Sequence, residues 1–341
     1  MKIITILGTR PQFIKASPVS MALKKSNIIE IIVNTGQHYD FNMSDIFINE
    51  LNIPKPHYNL SVGSNTHAKQ TSDIIYKLEE IILNVKPSAV IVYGDTNSTL
   101  GGAISVSKLG IPLIHIEAGL RSYNKTMPEE INRVITDHIS TLLFCPSNIS
   151  KKNLTQEGIQ KNVFVVGDVM YDIFMKWESK FNSENRYGEY ALLTMHRAEN
   201  TVPDILRKRL DQLSKLDLQI IYPIHPRTKN VIEKNAILLP NNIQIIEPVG
   251  WLELMSLGHN SKFIITDSGG LQKEALWLKK QCLTIRDQTE WIETIQQGVN
   301  YIVKVDENIS IPDLSIGDFS NTYGDGNASE KITDIILKTI N

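Results

Sequence analysis

The chain has 341 residues, 42% apolar and 21% charged, the composition of a folded globular protein long enough for two domains, which argues against disorder. Thirty-five Lys and Arg against thirty-seven Asp and Glu give a net charge of −2, so no global field favours nucleic acid or an anionic membrane, and neither is expected as a partner. Cys145 and Cys282 each lie in an apolar run and read as small core residues, which fits a reducing, cytoplasmic setting; the apolar segment 3–7 is too short for a signal-peptide core and no run approaches a membrane span.

Residues 2–7 are a β-branched run, Gly8-Thr9-Arg10-Pro11 a turn, and the segment to residue 25 has helical periodicity. This is a Rossmann-like start without the Gly-x-Gly-x-x-Gly spacing. Arg10 in the turn and Lys15 in the helix could hold phosphate by charge, or be two solvated cations. Residues 28–33 read as a second strand ending in the polar tip 35–40. Helix 65–83, strand 89–92, helix 96–109, strand 113–116, helix 128–138, strand 142–145, helix 148–157 and strand 163–166 follow. A domain boundary is expected between residues 168 and 187, where the stretch 182–188 is polar. The second series has strands at 190–194, 218–223, 243–246, 263–266, 282–285 and near 301–303, with helices at 204–216, 251–257, 271–278 and 290–297. A terminal helix from residue 328 is expected to dock back on the first domain. The alternation predicts an α/β fold of two Rossmann-like doubly wound domains, 1–168 and 169–327, facing an interdomain cleft.

Three carboxylates stand at strand-to-helix junctions of the first series. Asp95 follows strand 89–92, but it could equally cap the next helix. Glu129 opens a helix carrying Arg133; Thr126-Met127-Pro128-Glu129 also fits a capping box, with Arg133 as an i,i+4 partner. Glu117 follows four largely apolar residues, has no obvious capping duty, and is the leading acid-base candidate. In the second series, Thr266-Asp267-Ser268-Gly269-Gly270 joins a strand to a helix. Ser268, Gly269 and Gly270 suit an anion at a helix N-terminus, and Glu274 one turn on could accept from adjacent ribose hydroxyls, which together suggest a nucleotide diphosphate. A Ser N-cap with close-packing glycines would give the same pattern. His196 and His225 follow two other strands, as phosphate donors, proton carriers or structural donors. No clustered ligand spacing points to a metal site.

Taken in order, Gly8-Thr9-Arg10-Pro11, Gly94-Asp95-Thr96, His115-Ile116-Glu117-Ala118-Gly119-Leu120-Arg121, Pro128-Glu129-Glu130-Ile131-Asn132-Arg133, His196-Arg197, Thr266-Asp267-Ser268-Gly269-Gly270 and Tyr323-Gly324-Asp325-Gly326 closely resemble the non-hydrolysing UDP-N-acetylglucosamine 2-epimerase family. The likeness spans nearly the whole chain. It implies a glycosyltransferase-B type fold, a homodimer, and a UDP-sugar substrate with no cofactor. By the resemblance Arg10, His225, Ser268, Gly269, Gly270 and Glu274 would hold UDP, with Lys15 near the pyrophosphate. Asp95, Glu117, Glu129, Arg133 and His196 would act on the sugar. The implied reaction removes the C2 proton, expels UDP to leave a 2-acetamidoglucal, and re-adds UDP after protonation on the opposite face, for surface polysaccharide synthesis; a hydrolysing epimerase releasing UDP and a UDP-sugar glycosyltransferase of the same fold stand as alternatives.

Several positions depart from the family pattern. Gln12 replaces a usual Glu, Tyr39 an Arg linked to an allosteric substrate site, Ala198 a second Arg, and Trp291-Ile292 an Arg-Pro pair. Segments 35–45, 94–100, 122–137 and 289–294 look more like the subgroup acting on UDP-2,3-diacetamido-2,3-dideoxy-glucuronate, so both substrates stand as expectations. A substrate carboxylate would need a further cation, for which Arg121 and Lys125 are candidates.

Overall fold

Strands without a polar face have nothing to offer solvent, and here they assemble into two parallel sheets covered by helices. The computed structural model describes residues 1–37, 55–182 and 184–340 and divides into two units, Met1–Lys176 with Thr322–Asn341, and Trp177–Asn321. The departure at Tyr39 and most of the segment 35–45 lie outside the described residues.

The first unit runs β1 (Lys2–Leu7), α1 (Arg10–Lys25), β2 (Ile29–Asn34), β3 (Tyr58–Asn59), α2 (His67–Val85), β4 (Ala89–Tyr93), α3 (Asn97–Lys108), β5 (Leu113–Ile116), α4 (Pro128–Ile139), β6 (Leu142–Cys145), α5 (Asn148–Gln156), β7 (Val163–Val165) and α6 (Val169–Trp177). Its strand order is β3-β2-β1-β4-β5-β6-β7, all parallel. Ile4, Ile6, Val90 and Val92 pack with Ile74, Leu78 and Val106 of the covering helices; full burial of each such side chain contributes about 1.5–3 kcal/mol. The chain leaves β1 toward β2 on one side and returns to β4 on the other, so the topological switch, where ligands sit in such sheets, lies between β1 and β4. Gln12 bridges it. Its Oε1 accepts from Gly8 N at 2.8 Å, and its Nε2 donates to Tyr93 O at 2.8 Å and Thr99 Oγ1 at 3.0 Å. An amide serves both ends, which gives the departure at Gln12 a structural role.

The second unit runs β8 (Tyr190–Thr194), α7 (Ala198–Thr201), α8 (Pro203–Ser214), β9 (Gln219–Pro223), α9 (Pro226–Lys234), β10 (Ile243–Ile246), α10 (Trp251–Asn260), β11 (Ile264–Thr266), α11 (Gly269–Trp277), β12 (Cys282–Thr284), α12 (Ile292–Gln296) and β13 (Asn300–Ile302). Its order, β10-β9-β8-β11-β12-β13, puts the switch between β8 and β11. α11 starts two residues earlier than expected, at Gly269, where close packing leaves no room for a side chain: a Cβ would sit 2.7 Å from Glu290 Oε1. The helix α9 is absent from the sequence reading. Only Thr228 and Ile232 of its Pro-Arg-Thr-Lys-Asn-Val-Ile-Glu-Lys are buried, and its signal lies at its start, Pro226 in the first turn after His225.

After β13 the chain returns to the first unit as α13 (Ala328–Thr339), which packs on α1. Two backbones touch on the way: a Cβ on Gly167 would lie 2.8 Å from Tyr323 O. Asp172 of α6 caps α13, accepting from Ala328 N at 3.0 Å, Ser329 N at 2.7 Å and Ser329 Oγ at 2.6 Å; burial nevertheless pushes its carboxyl above the usual range. Both cysteines are free and buried, and burial raises both thiols, that of Cys282 to about 12. Among the described residues no helix is long and apolar enough to cross a membrane.

Candidate active site

In the first unit the side chains gather beside the β1–β4 switch. Arg10 is the first residue of α1, half-buried at the end of β1. Lys15 Nζ donates to Glu117 Oε1 at 2.7 Å, and Glu117 is only 8% exposed. Burial opposes the Lys15 charge, but Glu117, with Asp95 and Asp168 at longer range, holds the ammonium above its ordinary value. The pair lies against Gly94, where a Cβ would be 3.4 Å from Glu117 Oε1 and 3.6 Å from Lys15 Nζ.

Asp95 does not cap α3. Thr96 does, accepting from Thr99 N, and Asp95 instead binds Arg133, with Oδ2 2.6 Å from Nη2 and 2.9 Å from Nε. The capping box expected at Thr126 does not form either: Met127 precedes α4, and Arg133 pairs with Glu130, three residues back, at 2.9 Å rather than with Glu129. The i,i+4 spacing lost because the buried face of α4 carries Glu130. Glu130 also accepts from Ser122 N at 2.9 Å, Ser122 Oγ at 3.0 Å and Tyr123 N at 2.9 Å, fixing the loop before α4. Glu129 is half-buried, and its carboxylate has no hydrogen-bond or ion-pair partner among the described residues.

Arg121 is not a spare cation. It is 1% exposed, with Nη1 2.7 Å from Asp137 Oδ2 and a bidentate pair to Glu157 at 2.6 and 2.7 Å, so its charge is already matched; Lys125 is exposed. Burial alone would raise the Asp137 carboxyl, yet His115 and Arg121 hold it below the usual range. A depressed folded value means a stabilising contribution present above the ordinary carboxyl value, about 3.9, and lost as pH falls through the folded value. The stability gap between wild type and Asp137→Asn in urea unfolding should therefore be widest above about pH 5 and shrink toward about pH 3. A gap independent of pH would contradict the assignment. Gly119 has φ 80°, and a Cβ there would meet Ser150 O at 2.3 Å. Gly119→Ala should cost at least about 2 kcal/mol, read by the same unfolding assay.

In the second unit the β8–β11 switch is closed by Asp267. This fully buried carboxylate accepts from His196 N at 2.9 Å, Arg197 N at 2.9 Å and Asn200 Nδ2 at 3.1 Å, and its Oδ1 is 3.3 Å from His196 Nδ1. The His196 ring is partly exposed, with its centroid 6.3 Å from that of His225. His225 Nδ1 accepts from Arg227 N at 3.2 Å, which places the ring proton on Nε2 as a donor. Ser268 precedes α11 without a side-chain cap bond; its N–H goes to Thr266 Oγ1 at 2.9 Å. Beside Gly270 there is open space, since an added Cβ would meet no described residue within 4 Å. Glu274 is buried and accepts from Trp251 Nε1 at 2.7 Å. Sequence reasoning gave no role to Glu130, Asp137, Asp267 or Trp251. No group of three or more His, Cys, Asp and Glu among the described residues is arranged to hold a metal.

Two doubly wound parallel sheets with polar side chains collected at their switch points, one beside a glycine-edged helix N-terminus, define the Rossmann-like class of α/β proteins. The family model described as UDP-N-acetylglucosamine 2-epimerase matches residues 21–337, and the chain belongs to that family. It is 46% identical to a UDP-N-acetylglucosamine 2-epimerase homolog of Methanococcus maripaludis, over 98% of this chain and 99% of that one. It is 44% identical to the UDP-2,3-diacetamido-2,3-dideoxy-D-glucuronate 2-epimerase of Pseudomonas aeruginosa, over 99% and 100%. The crystal structure of Methanocaldococcus jannaschii UDP-GlcNAc 2-epimerase in complex with UDP-GlcNAc and UDP is similar with a TM-score of 0.89 and 42% identity, covering 99% of this chain and 100% of that chain.

Proposed function

We propose that the chain is a non-hydrolysing sugar-nucleotide 2-epimerase that inverts C2 of a UDP-N-acetylglucosamine-type sugar, either UDP-N-acetylglucosamine or UDP-2,3-diacetamido-2,3-dideoxy-glucuronate. It acts as a cytoplasmic homodimer supplying surface polysaccharide synthesis. The observation that carries the reading is the placing of two carboxylates, Glu117 paired with Lys15 and Asp95 paired with Arg133, around Gly94 at one switch point. Inverting a carbon that bears an unactivated hydrogen needs one carboxylate to remove the proton and a second acid to return it from the other face. As the C2–H bond breaks, its electron pair forms the C1–C2 double bond and the C1–O pair leaves on the UDP phosphate. Arg10, Lys15, His225, Ser268 and the Gly269-Gly270 backbone meet that departing charge, while Glu274 holds the ribose hydroxyls. Glu117, Asp95, Glu129 and His196 serve the sugar, with Arg133 orienting Asp95. The two relatives named for different sugars support keeping both substrates in the reading.

The test offers each UDP-sugar separately and follows products by proton NMR. Conversion of one of them to a stable mixture of gluco and manno epimers, without accumulating free sugar, is expected. Steady accumulation of UDP and free sugar would assign a hydrolysing enzyme instead, and no conversion of either by protein that binds UDP would overturn the reading.

A further inference from the structure

Glu117 has φ 69°, a left-handed backbone that a side chain with a Cβ resists, so its surroundings must hold it. They do so on both sides: Gly94 N donates to Ile116 O at 3.0 Å, and Ala118 N to Phe144 O at 3.0 Å. One side chain then spans the whole arc. Asp137 Oδ1 takes His115 Nδ1 at 2.7 Å and its Oδ2 takes Gly119 N at 3.1 Å, so the residues two before and two after Glu117 end on one carboxylate. The same imidazole reaches Gly94 O through Nε2 at 2.8 Å, tying the arc to the turn that carries Asp95. Arg121 matches the charge at 2.7 Å. Asp137 and His115 are buried, so neither is open to substrate.

We propose that Asp137 is a positioning residue for the C2 acid-base step, stapling His115 to Gly119 and thereby holding Glu117 in the left-handed turn from which its carboxylate meets Lys15. The inference rests on Glu117 being an acid-base group of the proposed epimerase. A residue that acts only through Glu117 matters no more once that carboxylate is gone, which separates positioning from general stabilisation.

The experiment measures kcat and KM for C2 exchange, UDP affinity and folding in Asp137→Asn, Glu117→Gln and the double variant. Expected are a fall in kcat of at least about tenfold for Asp137→Asn, with KM and UDP affinity within about threefold, and less than about twofold further loss when it is added to Glu117→Gln. Full kcat in Asp137→Asn, or losses that multiply in the double variant, overturns the inference while leaving the role of Glu117 intact. Unchanged exchange in Glu117→Gln overturns both. Should Asp137→Asn not fold, His115→Gln takes its place: it removes the His115 end of the staple and leaves Arg121 paired with Glu157. A kcat loss of at least about threefold that vanishes in the Glu117→Gln background is then expected, and no loss overturns the proposal.

Discussion

Glu117→Gln should lower C2 proton exchange by about 10²–10⁴-fold while leaving UDP affinity within about twofold. Glutamine has the same shape, and its amide oxygen can still accept from Lys15, which now donates to Oε1 at 2.7 Å. The fold should therefore survive, at a cost of about 1–3 kcal/mol for exchanging a charge-assisted bond for a neutral one. What the amide lacks is basicity. The residues assigned to UDP in the second unit, Ser268, Gly269, Gly270, His225 and Glu274, are untouched by the change. Single-turnover exchange and UDP calorimetry on the same preparation separate the two effects, and unchanged exchange would remove Glu117 from the chemistry.

Arg133→Leu should destabilise the protein by about 3–5 kcal/mol and suppress exchange together. Arg133 is 3% exposed and bridges Asp95 to Glu130, whose own side chain is 4% exposed. Leucine fills part of the volume but leaves the Glu130 carboxylate buried without its counter-ion, still committed to the N–H groups of Ser122 and Tyr123. Asp95 loses the partner that orients it toward the Gly94 turn. Urea unfolding gives the first effect and deuterium uptake at C2 the second. A loss below about 1 kcal/mol would mean that the bridge contributes no more than an exposed pair.

The parallel strands are legible because a strand buried on both faces is a continuous apolar run, and 89–92, 142–145 and 190–194 match β4, β6 and β8 to within a residue. The helix α4, expected at 128–138, is found there, but its buried face resists such reading. Amphipathic patterning would bury Ile131 and Ile135, yet these are 46% and 37% exposed, while Glu130, Arg133 and Asp137 face inward. Charges replace the apolar stripe because their partners, Asp95, His115, Gly119 and Arg121, come from a distant strand and distant turns, and no local window contains both halves of such a network. The same distance hides Asp267, whose partners lie at His196, Arg197 and Asn200. Glu117 could be singled out because an acid after an apolar strand with no cap to make has little else to do. Asp95 and Glu129 could not be separated from helix caps until the neighbouring Thr96 and Met127 were seen in those places.

In the proposed reaction a proton leaves and returns at C2 without net hydrolysis. Incubation of the protein with each UDP-sugar in D2O, followed by proton NMR, reads this exchange. Deuterium at C2 in both the gluco and manno forms, with no accumulating free sugar, is predicted for the true substrate. Epimers that keep their C2 hydrogen, or no exchange in either sugar by folded protein that binds UDP, would contradict it.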